Sequence, residues 1–240
     1  RARAARHHEG MAKRAEVDLG SLESMTLAVD LATSAGVDAL IRAAEGKASL
    51  AVGPGLGTDD RIGAVVRRLL AEIDVPLVLD ADALTVLAGD LEPLRDRAAA
   101  ERATVLTPHP GEMGRLLGRS TAEVQGDRLA TVRAAVDATR AVVILKGRRS
   151  LVSAPDGGVW IDPTGNSGLA TGGTGDVLTG LVAGLLAQGV PALDAARLGA
   201  SVHGTAGDLA AERIGRRALA AGDVVDSLGA AWRHLLGDAA

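Results

Sequence analysis

Four short apolar segments recur along this chain, and each leads into residues with helical spacing of apolar side chains. The segments lie at 49–52, 76–79, 104–106 and 141–145. Strands that alternate with helices indicate a parallel sheet with helices on both faces, because parallel neighbours need a long, right-handed crossover connection. The segment at 141–145 is almost wholly apolar, as expected for a central strand buried on both faces. The pattern predicts an α/β fold with a mostly parallel sheet.

The connecting segments predict further elements. Strands at 150–154 and 159–161 flank Pro155-Asp156-Gly157-Gly158 and predict a hairpin. His203 lies among small residues inside a long predicted helix, which favours a packing role for this side chain. The predicted helices are a short one ending at Gly46, one capped by Thr58 or Asp59, a short one that Asp82 caps, one from the capping box at Ser120 through Val136, a long one over 194–213, and a last one capped by Asp223.

Composition limits the chemistry. The 240 residues include no Cys, Phe or Tyr, so the core must be built from Leu, Val, Ile and Ala, and disulfides and thiolate chemistry are excluded. The lack of Cys suits a reducing compartment, and we expect a cytoplasmic protein. A net charge of −4 does not indicate a nucleic-acid-binding protein, because such proteins carry basic surfaces. No apolar run approaches the roughly 20 residues that span a bilayer, so no membrane partner is expected.

A glycine-rich loop carries the strongest functional signal. Residues 165–176 place five glycines around a single carboxylate, Asp176, and apolar residues at helical spacing follow. Glycines allow the backbone to approach a ligand closely, and unpaired amides at a helix N-terminus favour phosphate groups. Asp176 has two interpretations. It is either the N-cap of the helix, since Asp is a common cap, or a functional carboxylate facing the bound anion.

Other candidate residues follow the predicted strands. Glycines alternate at 53, 55 and 57, which indicates either a ligand-contacting turn or a tight connection into the next helix. Asp80 and Asp82 could help to hold a magnesium–nucleotide complex or could cap the next helix. His109 lies between two prolines that fix the loop, and Glu112 falls in the first turn of the helix after it. The basic segment that begins at Lys146 is either a solvated surface or an anion site.

Five of these segments together resemble one family. They are Gly-Gly-Thr-Gly-Asp-Val-Leu-Thr-Gly, Gly-Pro-Gly-Leu-Gly, Asp-Ala-Asp-Ala-Leu, Thr-Pro-His-Pro-Gly-Glu and the Lys-Gly segment at 146. The chain is similar in these motifs to the ADP/ATP-dependent NAD(P)H-hydrate dehydratases of the ribokinase-like superfamily. The resemblance implies a ribokinase-like fold, ADP or ATP as the phosphoryl donor, Mg²⁺ on the nucleotide phosphates, and hydrated NADH or NADPH as the substrate.

The resemblance also implies roles for individual residues. Asp176 would be the catalytic base that faces the substrate hydroxyl, and the amides of Gly173 to Gly175 would hold the transferring phosphoryl group. The implied substrate-binding residues are Gly55, Gly57, His109, Glu112 and Asp176. The implied nucleotide-binding residues are Lys146, Gly147, Arg148, Arg149, Ser150, Asn166, Gly172, Gly173, Thr174 and Gly175. No set of protein ligands for a metal is implied.

The N-terminus departs from the family pattern. Family members begin with a strand, a glycine pair and a long helix, and residues 1–20 show none of these features. We therefore interpret 1–20 as an atypical segment and 21–240 as the dehydratase domain. An uncovered sheet edge would favour association, so a homo-oligomer is among the expectations.

Two other functions compete with dehydration. One is a kinase that phosphorylates a hydroxyalkyl heterocycle such as a vitamin precursor, and the other is an inactive, truncated binding protein. The sequence leaves open the choice between ADP and ATP and the presence of an epimerase domain upstream.

Overall fold

The structure is a computed structural model that describes residues 27–155 and 157–237. The chain divides between Glu45 and Gly46 into two compact units. In the first unit, helix α1 spans Ser34–Ala44, and the side chain of Thr33 caps it by accepting from the amide of Gly36. The helix predicted to end before Gly46 is therefore confirmed. The atypical segment 1–20 lies outside the described residues, and its boundary remains a prediction.

The second unit contains a six-stranded sheet whose strands follow one another in chain order. The first four strands are parallel, and the last two form an antiparallel hairpin. This arrangement confirms both the predicted parallel sheet and the predicted hairpin. The strands are β1 (Leu50–Val52), β2 (Leu77–Leu79), β3 (Thr104–Leu106), β4 (Val142–Leu145), β5 (Leu151–Ser153) and β6 (Val159–Ile161).

Helices cover both faces of this sheet, so the three central parallel strands are buried at every position. Val78, Val105 and Val142 are in register and join the core cluster that packs against two helices on one face, α8 (Thr174–Ala187) and α9 (Ala192–Ile214). Helix α10 (Ala221–Leu236) packs on α9. The crossover helices are α2 (Asp60–Glu72), α3 (Ala81–Val86), α4 (Glu92–Ala99), α5 (Pro110–Leu117), α6 (Thr121–Gly126) and α7 (Arg128–Thr139).

Strand β1 is less buried than predicted. It lies at one end of the sheet in the described part of the second unit, and Ala51 in its middle is exposed. An edge strand has no neighbour on one side, so its side chains cannot be covered as those of a central strand are. None of the helices in the two described ranges is long and apolar enough to cross a membrane.

Two predictions about helices after β3 need correction, and the predicted N-cap of α2 is confirmed. The helix predicted from Ser120 through Val136 is two helices, because Asp127 ends α6 and its side chain then caps α7 by accepting from the amide of Ala130 at 2.9 Å. Asp223 is not the N-cap of α10. Its carboxylate reaches back from the first turn to accept from the amide of Ala220 at 2.9 Å. Asp59 caps α2 as predicted.

Asp82 does not cap the helix after β2 either. The N-cap position of α3 belongs to Asp80, and Asp82 lies in the first turn. The Oδ2 atom of Asp82 instead accepts from the amide of Gly57 at 2.8 Å. The carboxylate therefore ties the turn after β1 to the carboxyl end of β2.

Candidate functional site

The glycine loop ends at the N-terminus of α8, and several of its amides have no acceptor in the part of the chain that the structure describes. Gly173 is the N-cap residue, with φ of 88°, a conformation that glycine adopts without strain. Among the described residues, no acceptor takes a hydrogen bond from the amides of Gly172, Gly173 or Gly175. Thr174 secures the turn, since its hydroxyl donates to the carbonyl of Leu169 at 2.7 Å. Free amides at a helix N-terminus form a site for an anion.

Asp176 projects from the first turn of α8, and the cap interpretation of this residue is wrong. The helix has no side-chain cap, and its N-cap residue is Gly173, three positions before Asp176. The side chain of Asp176 is exposed. A carboxylate at this position is stabilised by the helix dipole and is open to a ligand beside the glycine loop.

Helix α9 supports the start of the glycine loop. The carboxylate of Asp208 accepts from the amide of Gly165 and from Asn166 Nδ2, both at 2.8 Å. Asn166 Oδ1 accepts from the amide of Gly168 at 2.9 Å. The side-chain amide of Asn166 is thus committed to shaping the loop, and Asp208 was not singled out from the sequence as a site residue.

His203 is a buried packing residue, as predicted. Its Nε2 atom lies 2.8 Å from the carbonyl oxygen of Thr174, and a carbonyl only accepts, so the proton is on Nε2. The pKa of His203 is lowered to about 4, mainly by burial and to a smaller extent by the nearby Lys146 ammonium, although the Thr174 hydrogen bond acts to raise it. The ring is therefore neutral near pH 7 and holds the first residue of α8.

A cavity of about 590 Å³ lies beside the loop and gathers most of the residues predicted to bind a nucleotide. Gly172 and Gly173 belong to the same loop but do not line this cavity. Its other lining includes Asp162, Thr164 and Arg216, which the sequence did not single out. The predicted residues that line the cavity are Lys146, Gly147, Arg148, Arg149, Ser150, Asn166, Thr174 and Gly175.

The basic segment after β4 is held from outside by Arg128. The guanidinium of Arg128 donates to the carbonyl oxygens of Leu145 at 3.1 Å and Arg148 at 2.5 Å. The hydroxyl of Ser150 donates to the carbonyl of Gly147 at 3.3 Å. These hydrogen bonds hold the backbone of the segment, and the Arg148 and Arg149 side chains are exposed at the cavity.

Asp162 is a buried carboxylate at the end of β6. One of its oxygens accepts from both the amide and the hydroxyl of Thr164, at 3.2 and 2.8 Å. Burial raises the pKa of Asp162, and the charge of Asp208 raises it further, while the two Thr164 hydrogen bonds lower it. An Asp directly after a predicted strand was the only signal in the sequence that could have identified it.

His109 and Glu112 form a closed unit at the end of β3. His109 caps α5, because its Nδ1 accepts from the amides of Gly111 at 3.0 Å and Glu112 at 3.3 Å. Its Nε2 lies 3.3 Å from Glu112 Oε1, and Glu112 Oε2 accepts from the amide of His109 at 2.7 Å. Glu112 is buried, whereas the His109 side chain is half exposed. The exposed ring edge is what His109 can offer to a ligand.

Lys146 connects the two halves of the site. Its Nζ lies 2.7 Å from Asp80 Oδ1 and 3.8 Å from Glu112 Oε2. Across the sheet edge, Gly55 and Gly57 form an exposed turn with φ of 74° and 88°, held by Asp82 as described above. The carboxyl ends of neighbouring parallel strands thus bring the predicted substrate and nucleotide residues to one edge of the sheet.

The described residues offer no protein cage for a metal ion, since no three His, Asp or Glu side chains cluster in a way that could hold one. Asp80 and Glu112 already face the Lys146 ammonium. A Mg²⁺ ion here would depend on nucleotide phosphates and water for its ligands, which is the usual manner in which Mg²⁺ binds with nucleotides.

A second depression, of about 630 Å³, lies between α8 and α10 and is lined almost entirely by apolar side chains such as Leu181 and Trp232. It contains no titratable group, so the polar cavity beside the glycine loop is the candidate active site. Basic side chains and Gly175 line that cavity, and the exposed carboxylate of Asp176 follows Gly175 directly in the first turn of α8. Such a set of groups can bind a phosphorylated ligand and remove a proton beside it.

Comparisons with known proteins agree with this geometry. The NAD(P)H-hydrate dehydratase family matches residues 14–228. The chain is 50% identical over 186 residues to a bifunctional NAD(P)H-hydrate repair enzyme Nnr of Moorella thermoacetica, covering 78% of this chain and 34% of that protein. It is 46% identical over 185 residues to an ADP-dependent (S)-NAD(P)H-hydrate dehydratase of Neisseria meningitidis, covering 77% of this chain and 61% of the relative. The chain thus spans between one third and about three fifths of these relatives.

A solved structure shows the same architecture. The ADP/ATP-dependent NAD(P)H-hydrate dehydratase of Bacillus subtilis, co-crystallized with ATP/Mg²⁺, matches with a TM-score of 0.68 and 31% identity, over 82% of this chain and 70% of that one. A ribokinase-like superfamily protein of Enterococcus faecalis, at 24% identity and a TM-score of 0.67, supports the fold alone. With its glycine loop, its strand-end motifs and its matching sheet, this chain belongs to the NAD(P)H-hydrate dehydratase family and has the ribokinase-like fold.

Proposed function

We propose that this chain catalyses the nucleotide-dependent dehydration of hydrated NADH and NADPH. The observation that carries the proposal is the glycine loop, which presents unpaired amides and the exposed Asp176 carboxylate on one helix turn. Among the family's relatives, the Neisseria protein is named an ADP-dependent dehydratase, and the Bacillus protein was crystallized with ATP and Mg²⁺. We therefore propose ADP or ATP as the donor, with Mg²⁺ carried on its phosphates.

In the proposed reaction, the phosphoryl donor occupies the cavity between the basic segment at 146–150 and the glycine loop. Asp176 takes the proton of the ring hydroxyl while that oxygen attacks the terminal phosphorus and the bond from phosphorus to the rest of the nucleotide breaks. The loop amides stabilise the charge that develops on the phosphoryl oxygens. The carbon–oxygen bond of the phosphorylated ring then breaks, phosphate leaves, and the neighbouring carbon loses a proton as the ring double bond forms.

The substrate side is proposed to be the turn with Gly55 and Gly57 together with His109 and Glu112. These residues lie at the carboxyl ends of β1 and β3, on the same sheet edge as the glycine loop. The exposed glycines permit close approach of the hydrated ring, and the exposed part of His109 offers a contact at the rim. Residence in the cytoplasm and formation of a homo-oligomer stay predictions.

The test is to incubate the purified protein with chemically hydrated NADPH, Mg²⁺, and either ADP or ATP, and to follow the return of reduced-nicotinamide absorbance. We expect the reduced-nicotinamide absorbance to return only when a nucleotide is present. The nucleotide that supports this return is the phosphoryl donor. A reaction without nucleotide is the control. A stable phosphorylated product without any return of absorbance would instead identify a kinase, and the absence of both products would contradict an enzymatic role.

A further inference from the structure

Asp80 is a buried carboxylate that the proposed reaction leaves without a role. It follows β2, and its side chain is 2% exposed. Its Oδ1 lies 2.7 Å from the ammonium of Lys146, which follows β4 two strands away. The ammonium is itself only partly exposed. A charge-assisted contact of this length between two partly or wholly desolvated groups fixes the position of the more flexible one, which is the lysine.

The other oxygen of Asp80 is held as well. Oδ2 accepts from the hydroxyl of Thr179 at 2.9 Å, and Thr179 lies on α8 one turn after Asp176. Asp80 is thereby fixed to the helix that carries the glycine loop, and it cannot follow Lys146 if the lysine moves. This geometry makes Asp80 the rigid partner of the pair.

The ammonium lies directly beside the anion-binding turn. A methyl group built on Gly175 would be 3.3 Å from Lys146 Nζ and 3.7 Å from Asp80 Oδ2. Lys146 has three N–H donors, and Asp80 takes one of them. The next carboxylate, Glu112 Oε2, is 3.8 Å from Nζ, beyond hydrogen-bonding distance. The ammonium therefore has donor capacity left beside Gly175, in the first turn of α8.

We propose that Asp80 is a positioning residue that holds the Lys146 ammonium at Gly175, where the ammonium binds the phosphoryl group to be transferred. The inference rests on the proposed function in placing the phosphoryl donor at the glycine loop. Without the charge of Asp80, Glu112 on the His109 side of the site is the only carboxylate left within 4.0 Å of the ammonium in the described ranges. Lys146 would then be drawn away from the terminal phosphoryl group, while the rest of the nucleotide would keep its contacts.

The test compares AMP, ADP and ATP binding to the wild-type chain and to Asp80→Asn by calorimetry, without hydrated substrate. Asn keeps the size of Asp and can still accept from Thr179, but it lacks the charge. We expect the affinity for the nucleotide that carries the transferred phosphoryl group to fall about tenfold or more, since hydrogen bonds to charged groups are worth about 1.5–3 kcal/mol. The affinity for the nucleotide one phosphate shorter should change less than about twofold.

Two further variants separate positioning from support of the fold. Thr179→Val removes one hydrogen bond that holds Asp80 and keeps its charge, so it should reduce the discrimination between the two nucleotides less than Asp80→Asn does. In a Lys146→Met background, Asp80→Asn should cause no further loss, because the pair acts as one unit. Circular dichroism and thermal melting establish that each variant is folded.

Several results would overturn the inference. These are an equal loss of affinity for both nucleotides, no loss for either, or additive effects of the Asp80 and Lys146 substitutions. If dehydration fails but Asp80→Asn selectively weakens the longer nucleotide, the proposed function is wrong and the positioning role stands. If the wild-type chain binds no nucleotide, both proposals fall.

Discussion

Asp176 combines an exposed carboxylate with a helix N-terminus whose backbone supplies the anion site. Within the described residues, neither the N-cap residue nor a neighbouring side chain donates a hydrogen bond to the carboxylate oxygens of Asp176. The Asp176 carboxylate is therefore suited to accept a proton, because it lies close to the free amides and forms no hydrogen bond with them. A base here would act on a hydroxyl that the same loop presents to the phosphoryl donor.

Replacing Asp176 with Asn should abolish turnover and nearly preserve nucleotide affinity. A positioned general base contributes about 10²–10⁴-fold to a rate, and Asn has the same shape without the basicity. The dehydration assay gives the rate, and calorimetry with the donor nucleotide gives the affinity. Parallel loss of both quantities would show that Asp176 supports the helix start rather than the chemistry.

His203 makes stability depend on pH. Its pKa is lowered by burial to about 4 in the folded chain, below the ordinary value of 6.5. The unfolded chain binds more protons between these two pH values. The contribution of neutral His203 to the free energy of unfolding is therefore complete above about pH 6.5 and is lost as the pH falls toward 4. The contribution is at most about 3 kcal/mol.

The measurement is the free energy of unfolding in urea at several pH values for the wild-type chain and for His203→Gln. The glutamine amide can still donate to Thr174 but does not titrate in this range. We expect the variant to lose less stability than the wild-type chain as the medium is acidified from pH 7. Identical pH profiles would assign the acid sensitivity to other groups.

At the scale of elements, α9 packs unusually closely on the segment that leads to the glycine loop. A methyl group built on Gly204 would lie 2.0 Å from Thr164 Oγ1 and 2.9 Å from the carbonyl carbon of Thr164. One built on Gly207 would meet Leu169 at 2.7 Å. Glycine is needed at position 204 because the backbone of Thr164 lies too close for a side chain, whereas at position 207 the close atoms belong to the Leu169 side chain.

Gly204→Ala should therefore destabilise the chain by about 1–3 kcal/mol and weaken nucleotide binding, because overpacking displaces the loop. Gly184→Ala is the matched control. Gly184 lies inside α8 with no atom near a built methyl group, and alanine there should stabilise by up to about 1 kcal/mol. Urea unfolding and calorimetry measure both effects. Equal behaviour of the two variants would contradict the packing argument.

At the scale of the whole molecule, the sheet collects groups that are distant in sequence. Asp80, Lys146 and Asp162 each follow a strand that points the same way, so their side chains meet along one edge although 82 residues separate the first from the last. The edge strand β1 and its exposed Ala51 lie at the far side of this array. The relatives are longer than this chain, so the activity proposed above concerns only the part that they share.

The sequence by itself determined the alternation of strands and helices and the position of the glycine loop, and the family resemblance pointed to most of the residues that line the cavity beside that loop. These signals are local, since periodicity, turn chemistry and motif spacing are properties of neighbouring residues. Asp59 and the core position of His203 were predictable for the same reason.

Only the tertiary structure decided which carboxylates are caps and which are partners. Asp82 binds the turn at Gly57, Asp80 binds Lys146, and Asp176 caps nothing, although all three carry the same side chain near a helix start. The buried guanidinium of Arg97, which donates to the carbonyls of Leu70, Ile73 and Val75, had no sequence signal at all. The physical reason is that such pairings depend on which strand and helix ends the fold brings together. Long-range packing decides this, and adjacent residues do not.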